Sequence, residues 1–230
     1  MIVNNLLLWD CQGFKHVIDL NGTISIGEEQ LVDVKRLTLN SLPELVLLWN
    51  KNLHEIGSLR SLKALIIENC SHLRSLFTHS MATALQHLEM LSVRSCEMME
   101  EIIIIIEENN INFVGEEKAT CHIEFPKLEV LILFDLPSLK NFCNDERGSF
   151  SFSSLCSIDV QRCPKMKTFA SGQISLPQGM IQARVGDEMI EITNLNAFFE
   201  SRNENNNRMM ITINWGDDYD EGEYDSDVDI

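Results

Sequence analysis

The sequence predicts an α/β fold, a curved right-handed solenoid with a parallel sheet on the concave face and loops or short helices on the convex face. The first observation behind this is an apolar pattern, x-x-L-x-L followed three residues later by Leu or Cys, that occurs five times in full and once in part. The second is that the copies follow one another through residues 1–172. One copy cannot bury its apolar side alone, so the copies are expected to stack.

Each copy contributes the same elements. Its L-x-L segment predicts a short strand with two inward side chains, and the Leu or Cys that follows marks the turn out of the strand. This spacing is the leucine-rich-repeat signature. In chain order the six segments are Leu6-x-Leu8, Leu37-x-Leu39, Leu65-x-Ile67, Leu91-x-Val93, Leu131-x-Leu133 and Ile158-x-Val160.

One interval between copies is longer than the rest. Leu91 and Leu131 lie 40 residues apart, whereas the other intervals are 26 to 31 residues. Leucine-rich repeats are usually about 20 to 29 residues long. The extra residues fall at 107–124, a polar stretch that contains Gly115. We predict a surface loop there, inserted into about five and a half repeats.

A helix and a terminal cap are predicted beside the strands. Residues 80–89 have good helix formers behind a Ser or Thr cap, which predicts a short helix on the convex side. After Phe169 the repeat weakens, and residues 173–202 are predicted to be a capping region. Within it we expect a strand at 180–185 and a helix at 193–201 that covers the end of the core.

The two ends of the chain differ. Residues 203–230 predict a polar linker and an acidic tail, largely disordered, with one further edge strand at 209–215. At the other end, Val3 already belongs to the first copy, so no capping element precedes it. An uncapped solenoid end exposes apolar surface and sheet edge. We therefore expect the chain to be the end of something longer, or a descendant of it.

Composition and charge restrict the partners and the location. The formal net charge is −17, and eight carboxylates lie within residues 217–229. Because nucleic acids and anionic membranes both need clustered positive charge, neither is an expected partner. No run approaches the roughly 18 apolar residues of a membrane span, and the first residues do not form a secretory signal. These features predict a cytoplasmic protein.

The seven cysteines are predicted to be mostly structural. Four of them occupy the same position in the repeat, where a small side chain can face the backbone of the turn: Cys11, Cys70, Cys96 and Cys163. No Cys-x-x-Cys pair exists, so zinc binding has little support. We expect reduced thiols and no metal site.

No catalytic pattern is evident. The sequence has no phosphate-binding G-x-x-x-x-G-K-[ST] loop, no G-x-G-x-x-G after a strand and no H-E-x-x-H or G-x-S-x-G motif. The six histidines do not fall at ligand spacing with one another or with paired carboxylates, except that His79 and His87 bracket the predicted helix. We predict that the protein is not an enzyme and binds no cofactor.

The candidate functional feature is a surface. Side chains between and after the inward strand residues project onto the concave face, because strand residues alternate. Several are large and apolar, and Trp and Arg are common binding hot spots. The alternative is that neighbouring repeats, or a missing upstream part, cover them. The predicted partner-binding residues are Trp9, Asn40, Ile66, Glu68, Arg94, Ile132, Phe134 and Gln161.

Ordered phrases within the repeats carry a resemblance to a known family. They are C-x-x-M-E-E-I-I at 96–103, F-P-x-L-E-x-L-x-L at 125–133, L-P-S-L-K-N-F at 136–142 and C-P-x-M-K-x-F at 163–169. The chain resembles, over about residues 1–172, the C-terminal repeats of plant intracellular immune receptors. These disease resistance proteins join a coiled coil, a nucleotide-binding module and leucine-rich repeats.

The resemblance implies a role in plant defence. Such repeats sense a pathogen effector or a guarded host protein and help to hold the nucleotide switch off, so receptor domains are a further expected partner. The 230 residues contain neither the switch nor the coiled coil, and we predict no ADP or ATP activity. Two alternatives remain open: a stand-alone leucine-rich-repeat adaptor or regulator that binds a protein partner outside immunity, and an enzyme with an acid/base pair formed only in the fold.

Overall fold

A computed structural model describes residues 4–18, 34–49, 61–105, 120–177, 181–185, 188–192, 194–202 and 208–212. Short strands dominate these residues, and two helices interrupt them. In chain order the elements are β1 (Asn5–Trp9), β2 (His16–Ile18), β3 (Arg36–Asn40), β4 (Leu47–Trp49), β5 (Ala64–Glu68), β6 (Phe77–Thr78), α1 (His79–Ala84), β7 (Met90–Arg94), β8 (Ile103–Ile104), β9 (Cys121–Phe125), β10 (Val130–Phe134), β11 (Gly148–Phe152), β12 (Ser157–Gln161), β13 (Gln173–Ser175), β14 (Ile181–Val185), β15 (Glu188–Ile192), α2 (Leu195–Arg202) and β16 (Arg208–Thr212).

The main sheet confirms the predicted solenoid. Within the described residues it has the order β1-β3-β5-β7-β10-β12-β16, with parallel pairing from β1 to β12. All six L-x-L segments lie in these parallel strands, in the same register. For example, Leu37 pairs with Leu65, and Leu65 pairs with Leu91. Equivalent residues of successive repeats therefore form straight rows across the sheet.

The residue after each parallel strand adopts a left-handed conformation. Its φ angle lies between 51° and 56° in all six cases, although none of the six is glycine: Asp10, Ser41, Asn69, Ser95, Asp135 and Arg162. The backbone N–H of five of them donates to the last carbonyl of the next strand, as in Ser95 N to Phe134 O at 2.9 Å and Asp135 N to Gln161 O at 2.9 Å. Asp and Asn tolerate this conformation better than most residues do. The turn therefore extends the sheet's hydrogen-bond ladder by one residue.

The core lies behind the main sheet and is lined by the repeated leucines. Leu39, Leu65 and Leu131, for example, have no exposed surface. Towards the C-terminal end the core becomes aromatic. Phe142 stacks on Phe169 with 5.0 Å between ring centroids, and Phe125 stacks on Phe152 at 5.6 Å. Edge-to-face contacts of Phe142 with Phe125 and Phe150 join these pairs into one cluster.

Three smaller parallel sheets form the other wall of the solenoid. They pair β2 with β4, β6 with β8, and β9, β11 and β13 in the order β13-β11-β9. Strand β9 corrects the prediction of a loop over residues 107–124, since residues 121–124 belong to this strand. Its alternation explains why, because Ile123 and Phe125 are both fully buried. Residues 107–119 lie outside the described part of the chain.

Two glycines permit a close approach in this wall. A Cβ atom on Gly172, just before β13, would lie 1.6 Å from the carbonyl oxygen of Gly148 in β11. No other residue fits there without movement of the backbone. The pairing of β11 with β13 therefore depends on the missing side chain of Gly172.

The convex-side helix is present, but it begins earlier in the chain and is shorter than predicted. Helix α1 spans six residues, and Thr78 caps it by accepting a hydrogen bond from Met81 N at 3.4 Å. The predicted range, 80–89, included Leu85 and Leu88, and both are fully buried beyond the helix end. The chain has to turn inward there to begin the next repeat, which ends the helix.

The terminal helix is also confirmed with shifted bounds, at Leu195–Arg202 instead of 193–201. Its Leu195, Phe198 and Phe199 are buried, and the ring of Phe199 lies 6.0 Å from that of Phe169. The helix thus packs on the last repeat. The strand predicted at 180–185 appears as β14, but it pairs antiparallel with β15 and lies beside β16.

The predicted edge strand at 209–215 is present as β16. It pairs antiparallel with β12, with Met210 opposite Asp159 and Arg208 opposite Gln161. This strand falls inside the segment predicted to be largely disordered, so that prediction does not hold for residues 208–212. Residues 203–207 and 213–230, including the acidic tail, lie outside the described residues.

Candidate functional site: the concave face

The concave face presents three rows of side chains from β1, β3, β5, β7, β10 and β12, and two of these rows hold the candidate residues. The middle row consists of Leu7, Thr38, Ile66, Ser92, Ile132 and Asp159. The turn-side row consists of Trp9, Asn40, Glu68, Arg94, Phe134 and Gln161. All eight residues predicted from the sequence lie in these rows. The structure brings them onto one face because the register does not slip from repeat to repeat.

Hydrogen bonds order the polar part of the turn-side row. Asn40 Nδ2 donates to Glu68 Oε2 at 3.2 Å, and Arg94 Nε lies 3.9 Å from Glu68 Oε1. Arg94 Nε also donates to Ser92 Oγ at 3.2 Å, which draws the arginine side chain back over the middle row. Exposed ion pairs of this kind contribute little to stability. Their effect here is to hold Asn40, Glu68 and Arg94 in one orientation.

The apolar residues of the face differ in exposure. Leu7 and Trp9, on the first strand, are 61% and 68% exposed. Ile66, Ile132 and Phe134 are half-buried. The central positions are therefore partly covered, whereas the first strand is open.

Phe134 has an arginine against its ring. The guanidinium carbon of Arg162 lies 5.6 Å from the ring centroid, and Arg162 Nη2 lies 3.2 Å from Asp135 Oδ1. A cation over an aromatic face is attracted by the ring's negative centre. The Arg162 side chain is thus held at the turn-side edge of the face.

Asp159 is the half-buried carboxylate of the middle row. Burial raises its pKa, while the hydrogen bond from Gln161 Nε2, 2.8 Å from Asp159 Oδ1, and the charge of Arg94 act in the opposite direction. Ile132 is its register partner on β10. The carboxyl group therefore adjoins the apolar part of the face.

The repeated cysteines serve the turns, as predicted. Cys11, Cys70, Cys96 and Cys163 each donate through Sγ to the carbonyl oxygen two residues earlier, at 3.3, 3.4, 3.3 and 3.4 Å. All seven cysteines lie within the described residues, and none of them forms a disulfide there. Burial raises the pKa of Cys163 to about 12 and that of Cys143 to about 11, so both thiols are poor nucleophiles.

Sequence reasoning missed one polar cluster, on the β9-β11-β13 sheet. His122 Nδ1 lies 2.6 Å from Ser149 Oγ, and His122 Nε2 lies 3.1 Å from Glu124 Oε1. The pairing of His122 with Ser149 follows from the β9–β11 register. The side chains of His122 and Glu124 are 53% and 59% exposed, so the cluster lies on an open surface and not in a cleft. The alternating S-F-S-F at 149–152 was the available signal for strand β11.

In the described part of the chain, no group of three or more His, Cys, Asp or Glu side chains is arranged to hold a metal ion. Neither α1 nor α2 is long and apolar enough to cross a membrane.

Taken together, the stacked strands and the side-chain rows define a leucine-rich-repeat domain, a type of module that is typically non-catalytic and mediates protein interactions. The family model for RPS2-like plant disease resistance proteins, leucine-rich repeats, matches residues 3–97 and 83–176. The chain belongs to this family. It is a repeat module related to plant defence receptors.

Individual relatives agree with this assignment. The chain is 26% identical over 220 residues to "Probable disease resistance protein At4g27220" of Arabidopsis thaliana, with 83% of this chain and 22% of that protein covered. It is 36% identical over 108 residues to "Probable disease resistance protein At4g14610" of the same plant, with 46% of this chain and 14% of that protein covered. The chain thus spans less than a quarter of the length of either relative. No solved structure gives a significant match.

Proposed function

We propose that this protein is a non-catalytic recognition module of plant defence, which binds a pathogen effector, a guarded host protein or the other domains of a resistance receptor through its concave face. The observation that carries the proposal is the pair of side-chain rows in one register, with Trp9, Ile66 and Phe134 among them. Membership of the disease resistance family supports the defence role. The names of the relatives support it too.

The physical properties of the face favour a protein partner. Its side chains mix apolar and charged groups, and hydrogen bonds order several of the polar ones, which is typical of protein interfaces. The formal charge of −17 opposes binding to nucleic acid or an anionic membrane. The expected location is the cytoplasm, where effectors and guarded proteins meet intracellular receptors.

A second candidate is a stand-alone adaptor or regulator that binds a protein partner outside immunity. The open first strand favours neither candidate, because exposed Leu7 and Trp9 suit any protein partner. The two functions differ in the identity of the bound protein and in the effect on resistance.

The test is proximity labelling in leaves. The full chain is fused to a biotin ligase, and the wild type is compared with a Trp9→Ser, Ile66→Ser, Phe134→Ser variant. A matched control, Val46→Ser with Leu47→Ser, removes exposed apolar side chains from the other wall, where they are 42% and 37% exposed. Circular dichroism verifies that both variants keep the wild-type spectrum.

The proposal expects a set of proteins labelled by the wild type and the control but lost in the concave-face variant. That set should contain an effector, a host target of effectors or a receptor domain, and pathogen growth should change with the variant. An unchanged set would contradict the concave-face assignment. If the concave-face variant loses these labelled proteins but pathogen growth does not change, the result would favour the adaptor function instead.

A further inference from the structure

We propose that the part of the concave face formed by Ile132, Phe134 and Asp159 binds a protein segment that carries a Lys or Arg side chain next to a large apolar one. The inference rests on the proposed function and names the chemistry of the partner. We call these three residues, on the adjacent strands β10 and β12, the acidic-apolar patch.

The apolar half of the patch is continuous. Ile132 and Phe134 lie two residues apart on β10, so both side chains point to the concave face, and both are half-buried. Val130, the remaining concave-face residue of the strand, is equally half-buried. On the neighbouring strand β7, Ser92 is only 3% exposed, so Ile132 is bordered there by a small covered side chain. A partner's apolar side chain can meet Ile132 and the part of the Phe134 ring that Arg162 leaves uncovered, with Arg94 at the border on β7.

The acidic half lacks a contacting cation among the described side chains. Glu68 lies near Arg94, and Asp135 pairs with Arg162, so these nearby charges are matched. Asp159 instead accepts its hydrogen bond from the neutral amide of Gln161. A half-buried carboxylate that is not ion-paired keeps part of its desolvation cost. A cation supplied by a partner would recover that cost.

The direction of the pKa shift agrees with this geometry. Burial raises the pKa of Asp159 more than Gln161 and Arg94 lower it, which identifies a carboxylate that its own surroundings stabilise poorly. Beyond Asp159, strand β16 closes the sheet, with Met210 and Arg208 next in the register. The overall charge of −17 further favours a basic partner over an acidic one.

The test is a peptide selection with the full chain. A random phage library of short peptides is selected on the wild type, and each enriched peptide is synthesised. Its affinity is measured by fluorescence polarisation for the wild type, Phe134→Ser, Asp159→Asn and Glu97→Gln. Asp159→Asn keeps an acceptor for Gln161, and Glu97→Gln removes one negative charge from an exposed position outside the two rows.

We expect enriched peptides with Lys or Arg adjacent to Leu, Ile, Phe or Trp. Loss of a charge-assisted hydrogen bond should weaken their binding to Asp159→Asn by about 10- to 100-fold. Binding to Glu97→Gln should change less than about twofold, because a single distant exposed charge is screened. Phe134→Ser should also bind weakly while retaining the wild-type circular-dichroism spectrum.

Four outcomes would overturn the inference. In the first, peptides depend on Phe134 but bind Asp159→Asn as tightly as the wild type. That result would show that the partner needs no basic side chain, and it would leave the proposed function intact. Equal weakening of peptide binding by Asp159→Asn and Glu97→Gln would show that only the overall charge of the protein matters, not the position of Asp159. Peptides indifferent to Phe134, or no enrichment at all, would show that the acidic-apolar patch does not bind peptide segments, and the leaf experiment would then decide the concave-face proposal separately.

Discussion

The side-chain amide of Asn196 occupies the place beside Ala170 where the backbone of a further repeat would lie. Asn196 Oδ1 accepts from Ala170 N at 3.0 Å and from Phe169 N at 2.9 Å, and Asn196 Nδ2 donates to Ala170 O at 2.7 Å. A single side chain in α2 thus satisfies three backbone groups at the end of the wall opposite the main sheet.

Asn196→Ala should therefore destabilise the protein by about 1–3 kcal/mol, since it leaves buried donors and an acceptor without partners. Urea unfolding followed by circular dichroism measures the change. Glu200→Ala, an exposed position on the same helix, is the control and should shift the free energy of unfolding by less than about 0.5 kcal/mol. Equal effects of the two changes would contradict the capping role of Asn196.

Phe142 lies at the centre of the aromatic cluster. Phe142→Ala removes a fully buried ring that contacts four other phenylalanines, so we expect a loss of about 3–5 kcal/mol in the free energy of unfolding. Phe134→Ala is the matched control on the concave face and should cost about 1 kcal/mol or less, since its ring is only half-buried. A similar cost for both would show that the aromatic cluster is loosely packed.

Gly172→Ala tests the close approach to Gly148. The added Cβ atom would overlap the Gly148 carbonyl, and relief requires movement of the β11–β13 backbone. Overpacking of this kind costs about 1–3 kcal/mol, which thermal unfolding detects as a lower Tm. Gly13→Ala is a useful comparison, because open space surrounds its Cβ position and the cost arises from its φ of 85° alone. An unchanged Tm for Gly172→Ala would refute the tight packing of β13 against β11.

The raised pKa values of the Cys143 and Cys163 thiols predict slow alkylation. Cys143 and Cys163 have pKa values raised to about 11 and 12 by burial, so at pH 8 only about one molecule in a thousand or fewer carries a thiolate at either site. Iodoacetamide treatment followed by peptide mass spectrometry should show both residues unmodified in the native protein and modified after unfolding in urea. Rapid native labelling of either one would mean that its turn opens readily.

The ion pair between Glu100 and Lys140 is expected to make a pH-dependent contribution to stability. The hydrogen bond and charge of Lys140, 2.7 Å away, lower the pKa of this carboxyl group. A lowered folded-state pKa stabilises the fold above the ordinary glutamate value of about 4.3, and this contribution is lost as the pH falls through the folded-state value. Glu100→Gln should therefore lower Tm slightly at pH 7 and low salt, and the difference should vanish in strong acid or at high salt. A difference that persists under either condition would exclude an electrostatic origin.

The concave face could be predicted because one repeat contains all the information it needs. Alternation within L-x-L assigns Ile66 or Phe134 to the outward face, and the repeat places equivalent residues side by side. The contacts missed from the sequence join different repeats through loops of unequal length. Ser149 meets His122 only in the β9–β11 register, and Asn196 reaches Ala170 from outside the repeat pattern. The antiparallel direction of β16 likewise has no signal in its own five residues.

The left-handed residue after five of the six parallel strands holds the next strand through its backbone N–H and not through a side chain. The solenoid is held together by backbone hydrogen bonds at residues such as Ser95 and by the inward leucines. Neither depends on which side chains occupy the outward rows. Substitutions at the outward positions are therefore expected to cost little in folding stability. The side chains of this face can therefore differ one residue at a time while the fold is retained.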